Sequence, residues 1–242
     1  MLRERKPLGA EMYTSLRRLS LSVLVVLLFS SCAEAGSQGT ADIVRNLRTT
    51  NLDSNQFPWT RGLADGRTKR WDIEHDGLIP VKFNGSTLAQ EATAEIEAVL
   101  HMSIFDTTSI ANLSDNMIVR GIIISEGTAI GPNGVVTRNT CGHVSAHPGR
   151  TDFPEEFYNS EGRINTRLYV SLSSKKCTAS IEIAIHEFGH ALGLGEHFSG
   201  FGSGDAIAPS FWQVLYTLYN NDVGTFTDDL EIKLLDQVYP SN

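Results

Sequence analysis

The chain has 242 residues, 41% of them hydrophobic and 20% charged, the values of an ordinary globular protein rather than a fibre, a repeat array or a disordered tract. Its formal net charge is −8; without the first 32 residues, which hold five Lys/Arg and two Asp/Glu, 15 basic and 26 acidic groups are left, a net charge of −11. That acidic balance argues against a nucleic-acid partner, because phosphate recognition needs a basic face.

The N-terminus reads as an export signal. Arg17-Arg18 precede an apolar run from Leu19 to Phe29, which is followed by Ser30-Ser31-Cys32. The run is about half the length needed to span a bilayer as a helix, so it is a signal rather than a permanent anchor. Leu28-Phe29-Ser30-Ser31-Cys32 resembles a bacterial lipoprotein signal, in which Cys32 would carry the lipid and attach the protein to a membrane; Ala33-Glu34-Ala35 offers a competing site of ordinary cleavage. Either route exports the protein, as a cell-envelope lipoprotein or a secreted one.

Residues 33–69 are rich in small and polar residues without a sustained period, and are expected to form a tether or a short pro-region. From Trp71 the texture becomes that of a folded domain, taken as residues 70–242. Leu78 to Asn84 reads as a strand, with Pro80 at an edge or at its beginning. Thr87-Leu88-Ala89-Gln90 opens a helix with a capping box, and Leu88, Ala92, Ile96, Val99 and Leu100 recur on one face to about Met102. Met117 to Ser125 is a β-branched run suited to a buried strand. Gly131-Pro132-Asn133-Gly134 is a turn into Val135-Val136-Thr137, and Ile164 to Leu172 is another strand. Helices are expected over Thr178 to Leu192, from Ser210 to about Tyr219, and from a cap at Thr227-Asp228-Asp229. This order describes an α+β domain.

The chemistry is concentrated in His186-Glu187-Phe188-Gly189-His190. Histidines four apart on a helix lie one turn above each other and can grip one ion, and the intervening Glu187 can act as general base on a metal-activated water. Gly193 lets the helix stop and the chain turn back. Glu196 and His197 follow where a third ligand is needed, and both are candidates. Cys141 and Cys177 are the cysteines left after the signal; a disulfide between them and two separate buried thiols are both open.

The stretch from His186 to Gly193 resembles the active-site signature of metzincin zinc metalloproteases, closest in wording to the matrix metalloproteinase branch. Ala206-Ile207-Ala208-Pro209 looks like the family's downstream turn, and Thr227 to Tyr239 is similar to its closing helix. The resemblance implies a zincin fold: a small twisted sheet, an active-site helix and a C-terminal helical subdomain. It also implies a Zn2+ cofactor, a protein or peptide substrate, and hydrolysis with Glu187 as base. Two departures stand out. The family's third ligand falls on Glu196, with His197 one residue late; an insertion at Gly195 would make His197 the ligand. The family's methionine beneath the metal is absent, and Ile207 would take its place as a hydrophobic floor.

Other residues admit blander readings. His143 and His147 beside Cys141 could hold a second metal but suit an exposed loop better, and no carboxylate cluster has calcium-loop spacing. The loop Gly200-Phe201-Gly202-Ser203-Gly204-Asp205 would border a substrate pocket or simply connect. The rival function is a non-catalytic exported lipoprotein that uses the fold for binding, with a structural zinc closed by His186, His190, Glu196 and His197.

Overall fold

The computed structural model describes residues 39–53, 64–131, 133–150, 157–203 and 207–235. The export signal with Cys32 lies outside them. The chain divides into Met1–Asp42 and Ile43–Asn242. Of the first unit, residues 39–42 are described, as the start of a helix, α1, that covers residues 39–47.

The second unit is mixed α/β, built on a five-stranded sheet: β1 (Ile79–Lys82), β2 (Phe105–Asp106), β3 (Gly121–Glu126), β4 (Gly142–Ser145) and β5 (Arg167–Leu172). The strand order is β2-β1-β3-β5-β4. All pairings are parallel except β4 with β5, which places an antiparallel strand, Gly142 opposite Leu172 and Ser145 opposite Tyr169, at one edge. The isoleucine run is explained by burial on both faces: Ile122 and Ile124 enter the main core, whereas Ile123 packs with Ile110, Ile118 and Tyr169 on the other side. Pro80 is the second residue of β1, which lies between β2 and β3; pairing with β3 begins only after the proline, at Val81.

Helices α2 (Thr87–Leu100) and α3 (Ile181–Ala191) pack on each other, and α3 lies against β4 and β5. The cap of α2 is Ser86, one residue before the expected Thr87; its hydroxyl accepts from the Ala89 amide. Ser180 caps α3 in the same way through the Ile183 amide. From Ala184 to Ala191 every residue of α3 is buried, so the motif helix crosses the interior rather than floating on a surface. Helix α4 (Pro209–Tyr219) follows, with Phe211, Trp212, Leu215 and Leu218 in the core as expected.

Three expectations are corrected. Val135 to Thr137 is not a strand; the Gly134 amide donates to Gly131 O and the Gly131 amide to Val135 O, but the edge strand forms later, at Gly142–Ser145. Thr227–Asp229 makes only a 3-10 turn, and residues 230–235 are not helical: Asn221 takes the Glu231 amide and carbonyl with its own side chain, holding the chain extended. Residues 43–53 and 64–69 do not form a loose tether, the first of the two readings given for them: they pack into the folded unit. Ile43, Leu47 and Leu52 join the core, and Thr50, Asn51, Thr68 and Lys69 are buried polar residues with hydrogen-bonded side chains. Short apolar anchors spaced among polar residues carry too little periodicity to be read from sequence.

Candidate metal centre

Helix α3 ends in a Schellman turn directly after the second histidine. The Leu194 amide donates to Gly189 O at 3.0 Å and the Gly193 amide to His190 O at 3.0 Å, with Gly193 at φ +114°. A Cβ at Gly193 would lie 2.6 Å from Lys69 O, so glycine is required both for the turn and for the close approach. The remaining carbonyls of the helix end are captured from elsewhere in the fold: Ala191 O by the Trp71 indole at 2.8 Å, Leu192 O by the Tyr219 hydroxyl at 3.1 Å, and Gly193 O by the Asn51 amide at 2.8 Å. A rigid terminus fixes where the chain goes next.

It returns His197 to the histidine pair. The Nε2 atoms of His186, His190 and His197 lie 3.1, 3.2 and 3.2 Å from one another. An ion held tetrahedrally at about 2.0–2.1 Å from three nitrogens needs them about 3.3 Å apart, so the set fits a metal. The tautomer agrees. His190 Nδ1 lies 2.7 Å from Leu194 O, which only accepts, so Nδ1 carries the proton and Nε2 turns its lone pair towards the other two rings. Burial, then the neighbouring imidazoles, hold His190 well below the ordinary histidine pKa, and burial lowers His197. Neutral rings near pH 7 are what ligation requires.

Of the two candidates for third ligand, His197 joins the group and Glu196 does not. The reason lies in the backbone. The Gly195 amide donates to Thr50 O at 2.8 Å, and the Thr50 hydroxyl donates to Glu196 O at 2.7 Å, so residues 195 and 196 are fastened to the N-terminal segment and the next side chain points to the cluster. His186 and His190 are 8% and 7% exposed, whereas His197 is exposed, which leaves one side of the cluster accessible. Three ligands with an accessible side are the pattern of a catalytic rather than a closed structural site.

The floor of the cluster is Phe201, not Ile207. The fully buried Phe201 ring stacks on His186 with centroids 4.5 Å apart and approaches His190 at 4.8 Å and His197 at 5.6 Å. Ile207 instead pairs its backbone with Phe201 and packs partly buried at the margin of the core. Behind Phe201 stands Phe211, stacked at 5.3 Å. Gly189 admits both rings, since a Cβ there would lie 2.7 Å from Phe211 and 2.9 Å from Phe201. Strands β6 (Phe198–Ser199) and β7 (Gly202–Ser203) form the small loop that brings Phe201 in, and Gly202, at φ +71°, presses its backbone against His186 and His197. An aromatic between two glycines was visible in the sequence as a loop, but its place beneath three imidazoles was not.

Glu187 is 6% exposed, and its carboxylate makes no hydrogen bond or ion pair among the described residues. It rests against Gly142 at the start of β4. Burial alone pushes its pKa up to about 8. A disulfide joins the adjacent Cys141 to Cys177, with Cα atoms 5.0 Å apart, and so links the start of β4 to the approach of α3.

The other histidines do not join a metal group among the described residues. His143 Nδ1 accepts from the Ile130 amide at 3.2 Å and its Nε2 faces Arg150 O at 2.9 Å, so both ring nitrogens are committed. His147 is an exposed loop residue. Among the described residues no helix is long and apolar enough to cross a membrane.

Compared with known family models, with characterised proteins and with solved structures, the chain matches none.

Proposed function

We propose that this protein is an exported, zinc-dependent endopeptidase of metzincin-like type. The observation that carries the reading is the convergence of three imidazole nitrogens, two of them on the helix that also carries the buried carboxyl of Glu187. Imidazole ligands suit several transition metals, and three of them with an accessible fourth position suit catalytic zinc best. A parallel sheet preceding the motif helix, followed by a ligand loop and a further helix, supports the metzincin-like assignment, together with the His186 to Gly193 signature.

Zinc bound there would supply a Lewis acid that polarises a peptide carbonyl and brings the pKa of water towards neutrality. His186, His190 and His197 would hold the ion, and the Leu194 carbonyl keeps the His190 ring in the ligating tautomer. Glu187 would take the proton from the attacking water and return it to the leaving amine. Gly142 and the buried wall of α3 keep bulk water from solvating that carboxylate. The signal sequence supports export, and Cys32 supports lipid attachment at the cell envelope.

The test is cleavage of a denatured protein by the full chain, with and without a chelator, alongside elemental analysis. One equivalent of zinc and chelator-sensitive cleavage that Glu187→Gln abolishes without loss of zinc is the expected result. Bound zinc without cleavage of any substrate would instead favour a non-catalytic surface protein with a structural zinc.

A further inference from the structure

Between the second and third ligand of the proposed site, the backbone groups Gly193 O, Gly195 N and Glu196 O are all held from one place, the buried half of the π-helical turn Arg48–Leu52. Thr50 uses both its carbonyl and its hydroxyl: O accepts from the Gly195 amide at 2.8 Å, and Oγ1 donates to Glu196 O at 2.7 Å. Asn51 uses its whole amide: Nδ2 donates to Gly193 O at 2.8 Å and to Lys69 O at 2.7 Å, and Oδ1 accepts from the Lys69 amide at 2.9 Å. Both residues are fully buried. Gly193 lies so close to this pair that a Cβ would meet Lys69 O at 2.6 Å and Asn51 Nδ2 at 3.4 Å.

We infer that Thr50 and Asn51 are positioning residues for the third metal ligand, and that the segment carrying them stays with the working protein instead of being released as a pro-region. The inference rests on the proposed metal site and adds to it the device that selects His197 over Glu196. His186 and His190 are preset by the helix, one turn apart. His197 is not on a helix, and its placement depends on four residues that carry two buried glycines. Without the two Thr50 hydrogen bonds that stretch would lose its anchors, and a ligand displaced by a fraction of an ångström is a weaker ligand. Groups that orient metal ligands from behind typically contribute about 10- to 100-fold in affinity.

The experiment measures zinc affinity of the full chain by competition with a chromogenic chelator. Thr50→Val keeps the shape and removes the hydroxyl; it is expected to weaken zinc about 10- to 100-fold, and Thr50→Ser to restore most of the loss. Asn51→Asp, which keeps the acceptor and removes both donors, is expected to weaken zinc likewise. Ile118→Ala, a truncation in the small core on the other face of the sheet that touches none of these hydrogen bonds, serves as the control: it lowers thermal stability and leaves the zinc affinity of the folded protein unchanged. Wild-type affinity in folded Thr50→Val, or a naturally processed form that starts after Leu52 and binds zinc as tightly as the full chain, would overturn the inference. A wild-type chain that takes up no metal would overturn the metal site itself, a separate and distinguishable failure.

Discussion

A Cβ added to Gly142 would lie 2.6 Å from both Cγ and Oε1 of Glu187. The backbone of the edge strand is thus in direct contact with the proposed general base, and glycine is what allows it. In Gly142→Ala the clash falls on the Glu187 side chain from Cγ to Oε1 rather than on backbone, so the fold yields by moving the carboxylate. Metal content should stay unchanged while kcat falls by about 100-fold, the scale of a 1 Å misplacement of a catalytic group. Full kcat with the alanine in place would show that this contact does not position Glu187.

Phe201 is expected to matter for both stability and metal binding. It is fully buried between three imidazoles and Phe211, so Phe201→Ala opens a cavity and should cost about 3–5 kcal/mol. Phe201→Leu refills most of the volume and should cost less. Thermal unfolding with and without zinc checks this: if the ring supports the ligands, the stabilisation gained from zinc shrinks in Phe201→Ala, whereas a pure core role would leave that increment intact.

The metal-free protein should show opposing pH dependences. Glu187 has its folded pKa raised to about 8 from the usual 4.5, so it holds its proton longer in the folded state, and its contribution to stability declines as pH rises between those values. His190 and His197 have lowered folded pKa values, so their contribution is lost as pH falls below about 6.5, the ordinary histidine value. In chelator, the melting temperature of Glu187→Gln relative to wild type should therefore rise between pH 5 and pH 8. A constant difference would show that Glu187 is not desolvated. Zinc affinity should weaken in acid only below the ordinary histidine value, because His190 and His197 stay neutral to lower pH in the folded protein.

The motif helix was legible because its signals are local: a cap, a 3.6-residue period, a terminating glycine and two histidines one turn apart. The third ligand was half legible. Sequence placed Glu196 and His197 at the right point, but choosing between them needed Thr50 and Asn51, which lie about 145 residues away and look like loop polar residues until their partners are seen. Phe201 was hidden for the same reason: a loop aromatic gives no sign that Gly189, on another element, has been left bare to receive it. Edge strand β4 was missed because Gly142-His143-Val144-Ser145 has neither alternation nor length, and it is held by Leu172 to Tyr169 of β5 rather than by its own propensity. Local periodicity is written in the sequence, whereas close approach and long-range capping become visible only in the fold.

The disulfide should act on the site through β4. Cys141 and Cys177 are 36 residues apart, and closing a loop of that length stabilises a domain by about 3–4 kcal/mol on chain entropy. Replacing both by Ser should lower the melting temperature accordingly. The loss should not be uniform, because Cys141 immediately precedes Gly142, and its own carbonyl accepts from the Ser173 amide at 2.7 Å, just past the end of β5. With the covalent link gone, the start of β4 keeps that bond, the short ladder to β5 and the ring contacts of His143, and the strand residue that touches Glu187 loses its nearest covalent anchor. The double Ser variant should therefore bind zinc normally, since no ligand lies on β4, yet lose activity well below its melting temperature. Activity that tracked the folded fraction alone would mean that the bridge stabilises the domain without steadying the wall behind the proposed general base.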